Sequence, residues 1–248
     1  MELTVLGKYG PYGKAGGGCS SGYLVKNGDD FIVLDMGCGT LSRLMSQVDV
    51  TKIKHIYISH LHYDHTSDLL VFRYLLEELN HTVNIYTHHE DSQWYNILFD
   101  HPNLNVVNID EDTVINIGSM ELGFLPMKHT VTDYAIIIKG DKTLCYTGDT
   151  LFNDNVLRCF EASDVVLADC SKPRGFTGPH MSIDDAVRLA GQYPKVQIIA
   201  THQSADYDPK DDLAGTGIIS AEEKTTYTIR EKNEALRQSY YRSHYKGF

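Results

Sequence analysis

Short apolar runs alternate with amphipathic stretches of helical length along the 248 residues of the chain. Gly, Asp or Asn bounds most of the apolar runs, and their length and composition are typical of buried strands. The pattern predicts strands at residues 3–6, 23–25, 31–34, 56–58, 85–86, 106–109, 122–125, 135–138, 144–146, 165–168 and 196–200.

Two stretches have the periodicity of helices. After Thr66, one face of the predicted helix carries apolar residues, namely Leu69, Phe72, Leu76 and Leu79. Further on, Ser182 with Asp185 three residues later resembles a capping box that opens a second helix. Its predicted inward residues are Ile183, Ala186, Val187 and Ala190.

The order of these elements predicts an α/β fold. Strands mixed with helices form layered domains. The first part has hairpin-like spacing and the middle repeats strand and helix, which suggests an αββα sandwich of two mixed sheets packed between helices. We find no internal repeat, linker or low-complexity block, so residues 1–248 are expected to form one domain. The polar, Tyr-rich residues 222–248 predict a surface helix.

Composition narrows the class of protein. Hydrophobic residues make up 42% and charged residues 22% of the chain, which is typical of a globular protein. No apolar run approaches the roughly 20 residues of a membrane helix, and the first residues do not resemble a secretory signal. A cytoplasmic location without membrane contact is therefore expected.

The charge balance bears on the partners. The formal net charge is −11, and such a surface repels long polyanions unless a basic patch overrides it. We find no such patch, so long nucleic acid is disfavoured as a partner. The five cysteines contain no Cys-x-x-Cys pair and are expected to be reduced, mostly buried thiols.

The 12 histidines include one dense cluster. A predicted strand runs directly into His60-Leu-His62-Tyr-Asp64-His65. Imidazole and carboxylate ligands without thiolate suit zinc and, less selectively, manganese or iron. The alternative is a polar loop whose histidines only cap the following helix.

Three more ligand types follow predicted strands, namely His129, Asp149 and His202. Open α/β sheets place their sites at the carboxyl ends of strands. Each of the three residues alone is better explained as structural. Together with the first cluster they supply enough ligands for two ions.

The order of these motifs, with Thr147-Gly-Asp149 and the strand-end Asp35, resembles the metallo-β-lactamase superfamily, in its ribonuclease Z-like and phosphodiesterase branch. The resemblance implies two zinc ions. It implies that His60, His62 and His129 hold the first ion, that Asp64, His65 and His202 hold the second, and that Asp149 bridges both. Asp35 would orient ligands or the loop, or else simply end its strand.

The resemblance also implies hydrolysis by water that the two ions activate. His180, in Gly178-Pro-His180-Met-Ser182, is similar to the histidine that ribonuclease Z-like members use to assist phosphodiester cleavage. We therefore expect Asp64, His180 and Asp35 to be the residues important for catalysis. The alternative for His180 is packing at the start of a helix.

Several substrates fit this family, because fold does not determine substrate. The segment between Asp149 and His180 leaves little room for the arm with which ribonuclease Z grips tRNA, and residues 206–223 are strongly acidic. A small nucleotide-type phosphodiester is the preferred substrate. The alternatives are tRNA 3′-end cleavage, thioester or lactam hydrolysis on the same centre, and a non-catalytic metal-binding protein. A homodimer is left open.

Overall fold

The computed structural model describes residues 1–229. The strands are β1 (Glu2–Gly7), β2 (Gly22–Asn27), β3 (Asp30–Leu34), β4 (His55–Tyr57), β5 (Val83–Thr87), β6 (Leu104–Asn108), β7 (Val114–Ile117), β8 (Met120–Met127), β9 (Asp133–Lys139), β10 (Thr143–Tyr146), β11 (Val165–Asp169), β12 (Gln197–Thr201), β13 (Ile219–Ser220) and β14 (Thr226–Thr228). The helices are α1 (Thr40–Gln47), α2 (Tyr63–Leu79), α3 (Gln93–Phe99), α4 (Asp154–Ala162), α5 (Ile183–Gln192) and α6 (Lys210–Leu213), with a 3-10 turn at Val50–Lys52.

The strands form two mixed sheets of seven strands each. The first sheet has the order β14-β1-β2-β3-β4-β5-β6, and the second has the order β13-β12-β11-β10-β9-β8-β7. In each sheet one part is antiparallel and the other part is parallel. The two halves of the chain thus repeat one plan, except that β14 returns from the end of the chain to the first sheet.

Three hydrophobic cores lie between the layers of the fold. The central core lies between the sheets and includes Tyr23, Tyr57 and Ile136. A second core packs the first sheet against α1, α2 and α3, and a third packs the other sheet against α4, α5 and α6. The fold is therefore an αββα sandwich, as the sequence predicts.

Buried polar contacts join the two sheets near the ends of their strands. The hydroxyl of Tyr23 is 2.7 Å from the hydroxyl of Thr201, and the hydroxyl of Tyr146 donates to Asp35 at 2.7 Å. Tyr57 donates to the carbonyl of Tyr134. A tyrosine can span an apolar core and still place its hydroxyl on a partner. These contacts fix the strand ends of one sheet relative to those of the other.

Several details differ from the predicted elements. Strands β7, β13 and β14 and helices α1, α3, α4 and α6 were not predicted, because their apolar stretches are short. The exposed fraction of Leu79 is 40%, so the predicted inward face of α2 was wrong at its last position. The predicted surface helix is wrong at β14, and its remaining residues 230–248 lie outside the described residues. None of the helices within residues 1–229 has both the length and the hydropathy needed to cross a membrane.

Candidate metal centre

The predicted ligands meet at one rim of the sandwich, where strands of both sheets end. His60 follows β4, and Asp64 and His65 lie in the first turn of α2. From the second sheet, β8, β10 and β12 lead to the other three predicted ligands, namely His129, Asp149 and His202. His62 occupies the N-cap position of α2, but its side chain makes no capping hydrogen bond. The structure therefore does not support the alternative in which these histidines only cap the helix.

Three imidazoles converge on one point. Nε2 of His60 is 3.0 Å from Nδ1 of His62, and Nε2 of His129 is 3.3 Å from the same Nδ1. Two nitrogen ligands at 2.0–2.1 Å from a tetrahedral zinc ion lie about 3.3 Å from each other. The spacing of these nitrogens therefore matches that of ligands around one ion.

Asp149 lies between this trio and a second group. Its Oδ2 is 3.1 Å from Nε2 of His202, 3.4 Å from Nε2 of His65 and 3.8 Å from Nε2 of His60. Oδ2 of Asp64 is 3.2 Å from Nε2 of His202. The carboxylate of Asp149 thus faces histidines that belong to both groups.

The donor set fits divalent metal ions. Potential ligand atoms lie within 4.8 Å of one another in each of three overlapping groups. These groups are His60, His62, His129 and Asp149; Asp64, His65, Asp149 and His202; and Asp149, Asp169, His180 and His202. Within residues 1–229, Nε2 of His65 and Oδ1 of Asp149 are buried and make no hydrogen bond. A buried polar atom without a partner is costly, and a bound cation would satisfy both atoms.

The second nitrogen of several of these imidazoles is held by the protein. Nδ1 of His60 is 2.7 Å from Oδ2 of Asp133, and Nδ1 of His65 is 2.7 Å from Oδ2 of Asp35. Nδ1 of His129 is 3.1 Å from the carbonyl oxygen of Pro179. An acceptor at this nitrogen fixes the tautomer and makes the opposite nitrogen a better ligand.

Asp35 is itself tightly held and does not face the cluster directly. Its carboxylate accepts hydrogen bonds from the backbone N–H and the hydroxyl of Ser59, each at 2.8 Å, and from the hydroxyl of Tyr146. Its backbone has a φ of 57°. Asp35 therefore contacts the centre through His65, which agrees with an orienting role better than with direct chemistry.

His180 lies beside the cluster. Its Nδ1 is 2.7 Å from Oδ2 of Asp169 and 3.9 Å from Oδ2 of Asp149. Asp169 also accepts the backbone N–H of Thr150. His180 precedes α5, whose capping box of Ser182 and Asp185 is present in full. The cap and the carboxylate together hold His180 at the edge of the centre.

Glycine is required at two positions where the backbone approaches side chains of the site. A Cβ on Gly10 would lie 1.9 Å from Nε2 of His202, and a Cβ on Gly148 would lie 2.2 Å from Oδ1 of Asp133. Gly148 also has a φ of 60°. The backbone N–H of Gly10 donates to the carbonyl of Gln203 at 3.0 Å. This hydrogen bond holds the loop that contains Gly10 against His202.

Burial controls the protonation of the trio. Burial lowers the pKa of His60 to about 4, assisted by the nearby imidazole of His65. Burial likewise lowers the pKa of His129 to about 4, although Asp149 opposes it. Burial also lowers the pKa of His62. At neutral pH these imidazoles are uncharged, as metal ligands must be.

For the acidic groups and His65, the neighbouring charges outweigh the effect of burial on the pKa. Burial acts to raise the pKa of Asp64, but His65 and His202 outweigh it and lower the pKa to about 2. The pKa of Asp149 is lowered well below its ordinary value despite burial, because His202, His65 and His60 surround it. The pKa of His65 is raised against the effect of burial by Asp149, Asp64 and Asp35. The three carboxylates thus favour positive charge at this position, and a bound divalent cation would supply it.

Sequence reasoning missed several residues of the site. Asp169 ends β11, so the strand-end signal that singled out Asp149 could have found it. Asp133 begins β9 instead, and Gly10 lies in a loop; neither has a local signal. Outside this cluster, His88 directly follows β5 and is buried, and neither ring nitrogen makes a hydrogen bond within residues 1–229.

Comparison with known proteins gives a family match over most of the chain. A family model described as a beta-lactamase superfamily domain matches residues 32–203. The probable metallo-hydrolase YhfI of Bacillus subtilis is 28% identical over 212 residues, which cover 82% of this chain and 86% of that protein. Ribonuclease Z 2, mitochondrial, of Schizosaccharomyces pombe is 25% identical over 234 residues, which cover 84% of this chain but only 34% of that protein.

Solved structures give the same result for the fold. The crystal structure of YhfI superposes with a TM-score of 0.83 at 26% identity and covers 91% of this chain and 98% of that chain. A diphosphatase from the PhnP family gives a TM-score of 0.77 at 17% identity, covering 93% and 98% of the two chains. Human tRNase Z, short form, gives a TM-score of 0.74 at 18% identity, covering 93% of this chain and 100% of that chain. At these two lower identities the likeness concerns the fold alone.

Proposed function

Because this chain belongs to the β-lactamase superfamily, we propose that it is a metal-dependent hydrolase whose substrate is a small phosphodiester of nucleotide type. The observation that carries the proposal is the placement of Asp149 between two groups of ligands with His180 beside it. The similarity to the probable metallo-hydrolase YhfI supports the hydrolase assignment.

In this proposal seven side chains would hold two ions. His60, His62 and His129 would hold one ion, and Asp64, His65 and His202 would hold the other, with Asp149 as a ligand of both. Zinc suits this set of imidazoles and carboxylates, and manganese or iron are alternatives. When bound, such ions activate water and neutralise charge on the reacting oxygens.

The other residues position these ligands and handle protons. Asp133 orients His60, and Asp35 orients His65. The Asp169 carboxylate holds Nδ1 of His180, which leaves Nε2 to donate a proton to the leaving oxygen. Asp64 serves as a ligand rather than as an independent acid, since its Oδ2 already faces His202.

A phosphodiester is favoured over other esters for two reasons. His180 and its partner Asp169 provide a proton donor beside the ligands, and departure of an alkoxide from phosphorus benefits from such a donor. The names of ribonuclease Z 2 and of the PhnP-family diphosphatase, both of which point to cleavage at phosphorus, support the same substrate class.

A small substrate is favoured over a long RNA. The segment that follows His202 is rich in acidic residues: Asp212, Glu222 and Glu223 pair with Arg174, Lys8 and Arg43, and the others are Asp206, Asp208 and Asp211. Such a segment repels an extended polyanion more than a single phosphodiester. The similarity to ribonuclease Z 2 over most of this chain nevertheless makes tRNA 3′-end cleavage the second candidate.

Hydrolysis assays on the metal-loaded protein test the proposal. We expect turnover of bis(p-nitrophenyl) phosphate and of a nucleoside 2′,3′-cyclic phosphate, and none of nitrocefin or a thioester. Protein treated with chelator is the control. Turnover of the thioester alone would overturn the phosphodiester assignment, and cleavage of a precursor tRNA with no turnover of small diesters would favour the second candidate.

The role of His180 has a separate test. His180→Ala is expected to keep both metal equivalents and to lose about 10²–10⁴-fold in kcat on the nucleoside 2′,3′-cyclic phosphate, whose leaving group is an alkoxide, as for removal of a general acid. His101→Ala, at a histidine after α3 that contacts Glu77 of α2, is the matched control. Full turnover by His180→Ala would remove His180 from the mechanism.

A further inference from the structure

Lys172 lies in the loop after β11, three residues beyond Asp169. Its backbone forms a bridge with Ser182, and its carbonyl accepts the N–H of Ile183 at 2.9 Å. These contacts attach the loop to the start of α5, two residues after His180. The backbone of Lys172 is therefore fixed beside the proton donor proposed above.

The side chain of Lys172 is buried and nearly without partners. Its exposed fraction is only 4%. Nζ donates to the hydroxyl of Ser204 at 3.3 Å, and within residues 1–229 no carboxylate forms an ion pair with it. An ammonium has three donors, and a buried charge without an opposite charge is expensive. Folding therefore leaves two of these donors for a ligand.

Lys8 shows how this protein treats a buried lysine that has a structural role. Its exposed fraction is 5%, similar to that of Lys172. Its Nζ donates to the carbonyl of Ala221 at 2.8 Å and lies 3.7 Å from Glu222. Lys8 thus has both a strong acceptor and a counter-charge, whereas Lys172 has neither of them among residues 1–229.

The position of Lys172 relates it to the metal centre. Ser204, to which Nζ donates, lies two residues beyond the predicted ligand His202. The ring of His180 stacks on that of His202 with centroids 4.8 Å apart, so Lys172 contacts residues that follow two neighbouring imidazoles. Lys172 thus lies between the loops that carry Asp169, His180 and His202.

We infer that Lys172 recognises the anionic oxygen of the substrate, so that the centre selects phosphate esters over neutral esters with the same leaving group. The inference rests on the proposed function and specifies its substrate recognition. The ammonium of Lys172 donates to a non-bridging phosphate oxygen, and this contact supplies the counter-charge that Lys172 lacks in the protein itself.

Arg174 provides a matched control on the same loop. It is exposed, and its guanidinium already pairs with Asp184 at 2.7 Å and with Asp212 at 3.4 Å. Replacing Arg174 also removes one positive charge from the loop, but that charge is already paired with carboxylates. An effect of Lys172 that Arg174 does not share is therefore due to local recognition and not to the overall charge of the loop.

The experiment compares Lys172→Met, Lys172→Arg and Arg174→Met in the metal-loaded protein. We expect Lys172→Met to raise KM for bis(p-nitrophenyl) phosphate and the inhibition constant of inorganic phosphate by about tenfold or more, as for loss of a hydrogen bond to a charged group. KM for neutral p-nitrophenyl acetate is expected to stay unchanged. Lys172→Arg should recover part of the loss, and Arg174→Met should behave like the unchanged protein.

Two further measurements keep the outcome clear. Metal content should stay at the level of the unchanged protein in all variants, and calorimetric titration with phosphate should reproduce the change in the inhibition constant. Unchanged phosphate affinity in Lys172→Met, or an equal rise in KM for the neutral ester, would overturn the inference. Turnover of neutral esters alone by the unchanged protein, with phosphate inhibition that depends on Lys172, would instead overturn the proposed function.

Discussion

The Asp149 carboxylate is the side chain that both groups of ligands share. One of its oxygens lies 3.1–3.9 Å from ring nitrogens of His60, His65, His129 and His202. A carboxylate in that position contributes to the electrostatic environment of each of these imidazoles. Its removal is therefore expected to cost more than the loss of a single bond.

Asp149→Ala is expected to lose more than one equivalent of metal, because both ions would lose a ligand. Metal analysis of protein purified without chelator and then dialysed measures this directly, and the unchanged protein should hold about two equivalents, as expected of a two-metal site. Asp154→Ala, at an exposed aspartate in the first turn of α4, is the control. Unchanged stoichiometry in Asp149→Ala would contradict the shared role.

Gly10→Ala tests the close approach of backbone to a ligand. The new Cβ would lie 1.9 Å from Nε2 of His202, so the loop or the imidazole must move. We expect the loss of about one metal equivalent and of most turnover.

The control for this change is Gly191→Ala in α5, where a Cβ meets no atom within 4 Å. The Gly191→Ala protein should bind metal normally, and its free energy of unfolding should rise by about 0.4–1 kcal/mol. Two tightly held equivalents in Gly10→Ala would show that the loop adapts without disturbing His202.

At this scale the sequence predicts ligands better than their supports. The dense motif around His60 and the strand-end positions of Asp149 and His202 point to metal chemistry without a structure. Asp133 and Gly10 matter only because of what the fold places beside them. Their roles depend on contacts far apart in the chain, which no local pattern records.

Among the elements, α5 connects stability with the site. Its capping box satisfies backbone N–H groups through Ser182 and Asp185, and His180 lies just before it. The start of this helix could be predicted because a cap is a local feature. The strands β7, β13 and β14 could not, since short strands owe their conformation to neighbours in the sheet.

Ser182→Ala is expected to lower the free energy of unfolding by about 1 kcal/mol, the usual cost of losing an N-cap. It should also lower kcat, because the segment that holds His180 loosens. Denaturant unfolding and diester assays measure the two effects.

Ser92→Ala provides a matched cap without the catalytic neighbour. The side chain of Ser92 accepts the N–H of Tyr95 at the start of α3. A similar loss of stability with unchanged kcat is expected. Equal kcat effects in the two variants would mean that the cap of α5 does not position His180.

For the whole molecule, the main feature is that ligands come from both sheets. His60, His62, Asp64 and His65 belong to the first half of the chain, whereas His129, Asp149 and His202 belong to the second. Bound ions would therefore connect the two halves. The sandwich itself was predictable from alternating strands and helices, but the return of β14 to the first sheet was not.

Metal removal is expected to lower the melting temperature substantially. A ligand present at about 1,000 times its Kd stabilises the folded state by about 4 kcal/mol. For a protein of this size that corresponds to roughly 8–16 °C. Calorimetry with and without chelator measures the change, and Asp149→Ala should respond much less. The same melting temperature in both conditions would contradict a bound pair of ions.

The late position of His202 and β14 in the chain has a consequence for biosynthesis. A growing polypeptide leaves the ribosome from its amino end, so residues 60–65 emerge long before residue 202. The nascent protein then carries four of the seven predicted ligands, while the outer edge of β1 remains unpaired until β14 is synthesised. Completion of the predicted metal centre would thus be a late event of maturation, because it requires residue 202.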